Sequence, residues 1–247
     1  MRALSVGAVV FVSLVGATYT RAASAWPSRP IRLIVPFTPG GSTDILARVP
    51  NVLVVNPQVP AKDVRSLIAR AKARPGELRY ASGGNGSAAH LAMEYFKLRA
   101  GVDVVHVPYR GTAPAVTDVL GGQVEMIMTG VPAVQQHVKA GKLRALAVSS
   151  GTTVAALPGI PTIAATIPDF EAIQWYGVVV LVGTPAAIVE RLNVEINRSL
   201  ATEKLKERLE AEGAVAAPDS PPAFGALIVS EIARWKPVIE RANMRPE

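Results

Sequence analysis

The sequence predicts an α/β fold in two lobes. Three observations carry this reading. Apolar, β-prone runs alternate with amphipathic runs from Arg29 onward. Glycines and prolines, 20 of each in 247 residues, fall at the junctions between runs instead of in a repeat. The stretch from Asp63 to Val148 holds a complete series of such units by itself. Alternation of this kind predicts a mostly parallel sheet. The resulting partition is a signal peptide over 1–25, a discontinuous first lobe over 26–56 and 177–247, and a second lobe over 57–176.

The first residues read as an export signal. Met1-Arg2 is a short positive start, Ala3 to Ala17 is apolar, and Ala23-Ser24-Ala25 is a small-x-small cleavage pattern that places Trp26 at the mature start. The apolar run is shorter than the roughly 20 residues a spanning helix needs, so the chain is not expected to be membrane-inserted. The absence of cysteine excludes a lipid anchor, disulfides, thiolate metal sites and cysteine nucleophiles. His90, His106 and His137 lie too far apart for metal-ligand spacing, so no metal and no cofactor is expected. The net charge of +7 falls to +5 without Arg2 and Arg21, and its charges are dispersed. With only 5% aromatic residues, no nucleic-acid platform is expected. A basic exported chain without disulfides suits the periplasm and an anionic ligand.

The elements follow in order. Arg29 to Phe37 reads as a buried strand, broken by Thr38-Pro39-Gly40-Gly41. Ser42-Thr43-Asp44 opens a helix that continues through Arg48 and is cut at Pro50, which is oddly short. Val52 to Val55 is a strand and Asp63 to Arg74 an amphipathic helix. Strands are expected at Leu78–Ala81, Val102–Val107, Val124–Met128 and Leu143–Val148. Helices are expected at Ala88–Arg99, Ala113–Leu120 and Pro132–Ala140. Trp175 to Val182 reads as a strong strand. Helices follow from Thr184 to Leu200 and over Lys204–Glu212. A last one starts after Asp219-Ser220, with Phe224, Leu227, Ile228, Ile232 and Trp235 on its buried side.

Two junctions share one design. Thr38 to Asp44 and Ser82-Gly83-Gly84-Asn85-Gly86-Ser87 each take a strand through glycines into a helix start. Glycine allows close backbone approach, and a helix start offers unpaired N–H groups with a partial positive charge. Such loops make an anion pocket without lysine or arginine. Facing each other across a cleft, they would grip a dicarboxylate; each alone is also an ordinary tight turn. Asp44 fits the helix dipole better than direct contact. His90, in a first helical turn, faces the anion or bonds locally. Tyr109, beside Gly111 and Thr112, stands at a third junction. His106 reads as structural and His137 as solvent-facing. Trp175-Tyr176 lines the cleft or packs in the core. No nucleophile elbow or carboxylate pair appears, so no catalytic residue is assigned and the chain is not read as an enzyme.

The ordered motifs WPSRPIRLIVPFTPGGSTDILAR, NVLVVNP, LRYASGGNGSAAHLAMEYFK, VDVVHVPYRGTAPAVTDVLGGQVEMI, GKLRALAVSS, LPGIPT and WYGVVVLVGTP resemble the Bug family, the periplasmic solute receptors of tripartite tricarboxylate transporters. The resemblance covers essentially the whole mature chain. It implies a type II, Venus-flytrap-like periplasmic binding protein that captures a di- or tricarboxylate or acidic amino acid for membrane permease subunits, as a monomer. It carries ligand contact onto Thr38, Gly40, Gly41, Ser42 and Asp44, and onto Ser82 through Ser87 with His90; Tyr109 joins them as a cleft position. In the family the helix starting at Ser42 runs on into further βα units. Here Arg48-Val49-Pro50 leads straight to NVLVVNP, so about 50–60 residues of the first lobe are missing, at about 30 per unit. A ligand-sensing partner of a membrane sensor, or a degenerate non-binding remnant, are the alternative readings.

Overall fold

The computed structural model describes residues 47–244. The signal peptide, the strand at 29–37 and the loop of Thr38, Gly40, Gly41, Ser42 and Asp44 lie outside the described residues. Strand β1 (Ala47–Val55) is nine residues long and buried except at Arg48. This corrects the short helix expected up to Pro50. Ala47 and Val49 point inward with Arg48 outward, the period of a strand, and the stretch pairs with two other strands.

The remaining elements are α1 (Val64–Ala73), β2 (Arg79–Ser82), α2 (Ala88–Ala100), β3 (Val105–Pro108), α3 (Thr112–Leu120), β4 (Met126–Gly130), α4 (Val131–Lys139), β5 (Arg144–Val148), β6 (Ile173–Trp175), α5 (Ala186–Leu200), α6 (Glu203–Ala211), β7 (Val215–Ala216) and α7 (Pro221–Arg241). Local chemistry sets several ends. Asp63 and Ser66 form a capping box on α1, and Ser87 caps α2, which stops at Gly101 in the left-handed region.

The main sheet runs β3-β2-β4-β1-β5. β2 lies parallel to β3 and β4, but β1 is antiparallel to β4 and β5, and also to β6 and β7. The mostly parallel sheet expected from βα alternation is therefore a mixed one. The helices α2 and α3 carry the chain between the parallel strands β2, β3 and β4; β1, although α1 joins it to β2, lies on the far side of β4 and runs antiparallel to it. Its two halves have different partners. Ala47–Pro50 pair with β6 and β7, and Asn51–Val55 pair with β4 and β5. Pro50, which supplies no N–H, stands at the handover.

Both faces of the sheet are covered. Leu53 and Val55 join Leu67, Tyr80, Met93, Phe96, Met126, Met128 and Phe170 on one side. Val52 and Val54 join Ala81, Val116, Val119, Ile127, Val131 and Val134 on the other. A smaller cluster of Ala47, Val49, Leu200, Leu209 and Ala214 lies at the start of β1.

The C-terminal third is less covered than its sequence suggests. The strand expected over Trp175–Val182 stops at Trp175, tied last by Tyr176 N–H to Ala47 O at 3.1 Å. Val179, Leu181 and Val182 are 76%, 86% and 106% exposed. A β-branched run forms a strand only where a partner pairs with it, and none does among the described residues. For the same reason Ile188, Val189, Leu192 and Ile196 on α5 are half-buried instead of inside. On α7, Ile232 is exposed and Phe224, Leu227, Ile228 and Trp235 are half-buried, while Val238 is the buried residue.

This asymmetry predicts a two-level pattern of hydrogen exchange. Amides of Val52–Val55 and Met126–Met128 should exchange only by global opening, and those of Val178–Val182 within the fastest class. Equal protection in the two segments would contradict the packing described. Leu53→Ala should cost about 2–5 kcal/mol by denaturant titration, as a truncation in a fully buried cluster.

Candidate functional site

A cavity of about 630 Å³, within the usual range for a small-molecule site, lies on one edge of the sheet. It opens at the C-terminal ends of β2 and β3, where α2 and α3 begin. The walls include Gly83, Gly86 and Ser87, the helix starts Ala88-Ala89 and Gly111-Thr112-Ala113, and the α4 side chains Ala133 and His137. Asn51, Gln174, Trp175, Tyr176, Glu231 and Trp235 close the other side. Among the described residues no lysine or arginine lines it.

The glycine-rich loop is held by its own hydrogen bonds. Gly84 N–H donates to Ser82 Oγ at 3.1 Å, Ser87 N–H to Gly84 O at 3.2 Å, and Gly86 N–H to His90 Nδ1 at 3.1 Å. Ser87 Oγ accepts from His90 N–H at 3.3 Å, filling the third position of α2. The N–H groups of Ala88 and Ala89 then remain as the first two of the helix, which no intrahelical carbonyl can reach. On α3, Gly111 provides no side-chain cap, and Pro114 has no N–H. Thr112 and Ala113 N–H groups stand in the same position there. All four residues line the cavity. The glycine-rich loop packs closely on the start of α3 at Gly83: a Cβ there would lie 3.3 Å from Thr112 Oγ1 and 3.4 Å from Thr112 N. Gly84 has φ +120° and would bring a Cβ to 3.1 Å from Tyr109 O.

The far wall is a chain of polar groups. Asn51 Nδ2 donates to Ala172 O at 2.6 Å, and Gln174 Nε2 donates to Asn51 Oδ1. Tyr176 O–H donates to Gln174 Oε1 at 2.7 Å. The indole N–H groups of Trp175 and Trp235 both donate to Glu231 Oε2, at 3.2 and 2.8 Å, which ties α7 to β6.

Behind the loop lies a ring stack. The His90 and His106 imidazoles are 3.8 Å apart and near parallel, and His106 stacks on Tyr80 at 4.8 Å. His106 Nε2 is 2.6 Å from Ser82 Oγ. Tyr80 O–H donates to Glu94 Oε1 at 2.5 Å, and Lys97 pairs with that oxygen at 2.7 Å. Burial lowers the pKa of both histidines, with the neighbouring His90 adding to the effect on His106, which falls to about 4. Burial, with the bond to Asp118, raises Tyr109 to about 12.

Of the residues singled out in the sequence, Gly83, Gly86 and Ser87 reach the cavity. Ser82, Gly84 and Asn85 belong to the loop but not to the wall. His90 is buried behind it. Tyr109 turns away, its O–H donating to Asp118 Oδ2 at 2.7 Å. His137 lines the cavity instead of facing bulk solvent alone. Sequence reasoning missed Asn51, which opens the NVLVVNP run but reads there only as the edge of a strand, missed Thr129, Gln174 and Glu231, which lie outside the quoted motifs, and took Trp235 for core. Among the described residues no group of three His, Asp or Glu could hold a metal, and no helix is long and apolar enough to cross a membrane.

The family described as tripartite tricarboxylate transporter family receptor matches residues 34–244. The chain belongs to that family. It is similar to BugT of Bordetella pertussis, at 31% identity over 96% of each chain. That alignment runs over 313 positions, more than 247 residues can fill, so the relative carries a segment this chain lacks. Among solved structures it resembles an R. palustris protein with adipate (TM-score 0.77, 36% identity, 82% of this chain and 68% of the other). It also resembles the periplasmic binding protein BugD (TM-score 0.74, 28% identity, 85% and 73%). MatC from Rhodopseudomonas palustris with bound malate gives a TM-score of 0.73 at 27% identity, over 79% and 68%. The fold is therefore that of a TctC-type periplasmic binding protein with a shortened first lobe.

Two outcomes follow from this geometry. Gly84→Val should deform the loop, because a β-branched residue is strained at this φ, and should cost about 1–3 kcal/mol of stability. Stability should also fall with acid. Both histidines are neutral in the fold at pH values where the unfolded chain, near 6.5, already binds protons. Stability is thus full above about 6.5 and declines toward pH 4 as the unfolded state takes up protons first. Thermal melts across that window check the sign, and His106→Asn should flatten the slope.

Proposed function

We propose that the chain captures a small dicarboxylate in the periplasm and presents it to the permease subunits of a tripartite transporter, with no chemical step. The supporting observation is the pair of helix starts on the cavity wall. Ala88, Ala89, Thr112 and Ala113 bring four N–H donors and two positive dipole ends to the wall of one cavity, with Thr112 itself among its lining. A carboxylate has the charge and the lone pairs to satisfy them, and hydrogen bonds to an ionised acceptor are the stronger kind. The relatives solved with adipate and malate agree with this class. Residues 38–44 are the candidates for the opposing grip on the second carboxylate.

A first lobe shorter than that of the relatives offers a ligand fewer contacts, so less surplus is left over the cost of binding. Affinity is expected nearer ~1 mM than ~1 μM, a difference of about 4 kcal/mol. Calorimetry or NMR titration with adipate, malate and succinate tests the reading. Ala88→Pro is the informative variant. Proline is tolerated at the first helical position, and Ser87 already has the extended backbone a following proline requires (φ −63°, ψ 157°). The substitution removes one donor and should weaken binding about tenfold, or about 1.4 kcal/mol, with little change in melting temperature. Binding of none of the three acids at about 10 mM, or an Ala88→Pro affinity equal to wild type, would overturn the proposal.

A further inference from the structure

The glycine-rich loop ends on an exposed residue, Gly86, yet the group that holds it there is buried. His90 is 6% exposed, and its Nδ1 accepts the Gly86 N–H at 3.1 Å. The other end of the loop is held in the same way: Ser82, fully buried, lies 2.6 Å from His106 Nε2. The two imidazoles stack at 3.8 Å with planes 15° apart, so the supports of the two ends are one packed unit. We infer that His90 is a positioning residue that braces the carboxylate loop from behind by accepting the Gly86 N–H on an unprotonated Nδ1.

This assignment rests on the dicarboxylate reading of the cavity and adds to it. Gly86 carries φ +72°, and no ladder bond holds it. Its N–H bond to His90 fixes where the chain turns into Ser87, and Ser87 sets the direction of the Ala88 and Ala89 donors. Loss of the acceptor would let the turn move while the helix, capped separately by Ser87, persists. An imidazolium has no acceptor, so protonation of His90 would break the brace. The groups facing His90 are His106 on β3, Tyr80 on β2, and Glu94 and Lys97 on α2 itself. Burial disfavours the cation; Glu94 opposes that effect and Lys97 reinforces it. Neutral His90 is thus the working form near neutrality, and acid releases the loop.

Two variants of the full chain separate bracing from packing. In His90→Asn the amide Oδ1 can replace Nδ1 as acceptor and does not titrate. In His90→Leu the volume is kept and the acceptor is lost. Imidazole 15N spectra of the wild type should show Nδ1 of His90 unprotonated at neutral pH. Exchange of the Gly86 amide should be slow in wild type and His90→Asn and at least tenfold faster in His90→Leu. Neither readout needs a ligand, so both stand even where adipate binding fails. With adipate as probe, His90→Leu should bind at least tenfold more weakly than wild type, and His90→Asn within about threefold. Wild-type affinity should fall as the pH drops through the acid side of the ordinary histidine range, while His90→Asn changes less. A protonated Nδ1 at neutral pH, a Gly86 amide indifferent to His90→Leu, or equal losses of adipate affinity in the two variants would overturn the assignment.

Discussion

The structure depends on β1. This one strand is buried along almost its whole length and pairs with four others, β4 and β5 through its second half and β6 and β7 through its first. Its side chains also alternate between the two principal clusters, Leu53 and Val55 to one face, Val52 and Val54 to the other. Such a strand tolerates no change of register, because a one-residue slip would exchange the two faces. It also fixes Asn51, whose side chain bridges Ala172 and Gln174 on the far wall of the cavity.

The position of the cavity follows from the sheet. β2 and β3 run parallel, so their C-terminal ends, and the helices that follow, emerge on one edge. Gly83 lets the glycine-rich loop approach the start of α3 without a side chain between them. The loop then uses its own N–H groups internally, on Ser82, His90 and a loop carbonyl. The first positions of α2 and α3 bring further N–H groups to the same cavity. In the proposed function these make an anion site whose wall, among the described residues, holds no lysine or arginine, and whose geometry depends on backbone instead of on flexible side chains.

Much of this was legible in the sequence because it is local. Ser87 ahead of a helix and Gly101 after one are read from residues a few positions apart, and the structure has them as capping groups. The glycine loop was also legible as a loop between a strand and a helix start, with Gly83, Gly86 and Ser87 on the cavity wall. Which of its N–H groups remain for a ligand was not, since that depends on His90 folding back and on Ser87 capping. The direction of β1 was illegible because α1 leads from it to β2 just as helices join the parallel strands, yet β1 lies beyond β4 and pairs antiparallel with β4 and β5. The Trp175–Val182 run shows the opposite failure: its β-branched pattern is strong, but pairing is a tertiary property and Val179 to Val182 lack it among the described residues. Glu231, gripped by two indoles from elements 56 and 4 residues away in sequence, leaves no periodic signal at all.

The central claim is that the ligand's carboxylate sits on the first N–H groups of α2 and α3, and the loop N–H groups serve structure. Amide 15N–1H spectra recorded during titration with adipate test this residue by residue. The account predicts that the largest shifts fall on Ala88, Ala89, Thr112 and Ala113, in the downfield direction of a new charged acceptor. Gly84 and Gly86 should move little, since their N–H groups are already engaged. Saturable shifts centred on Gly84 and Gly86, with the four helix-start amides unmoved, would contradict it.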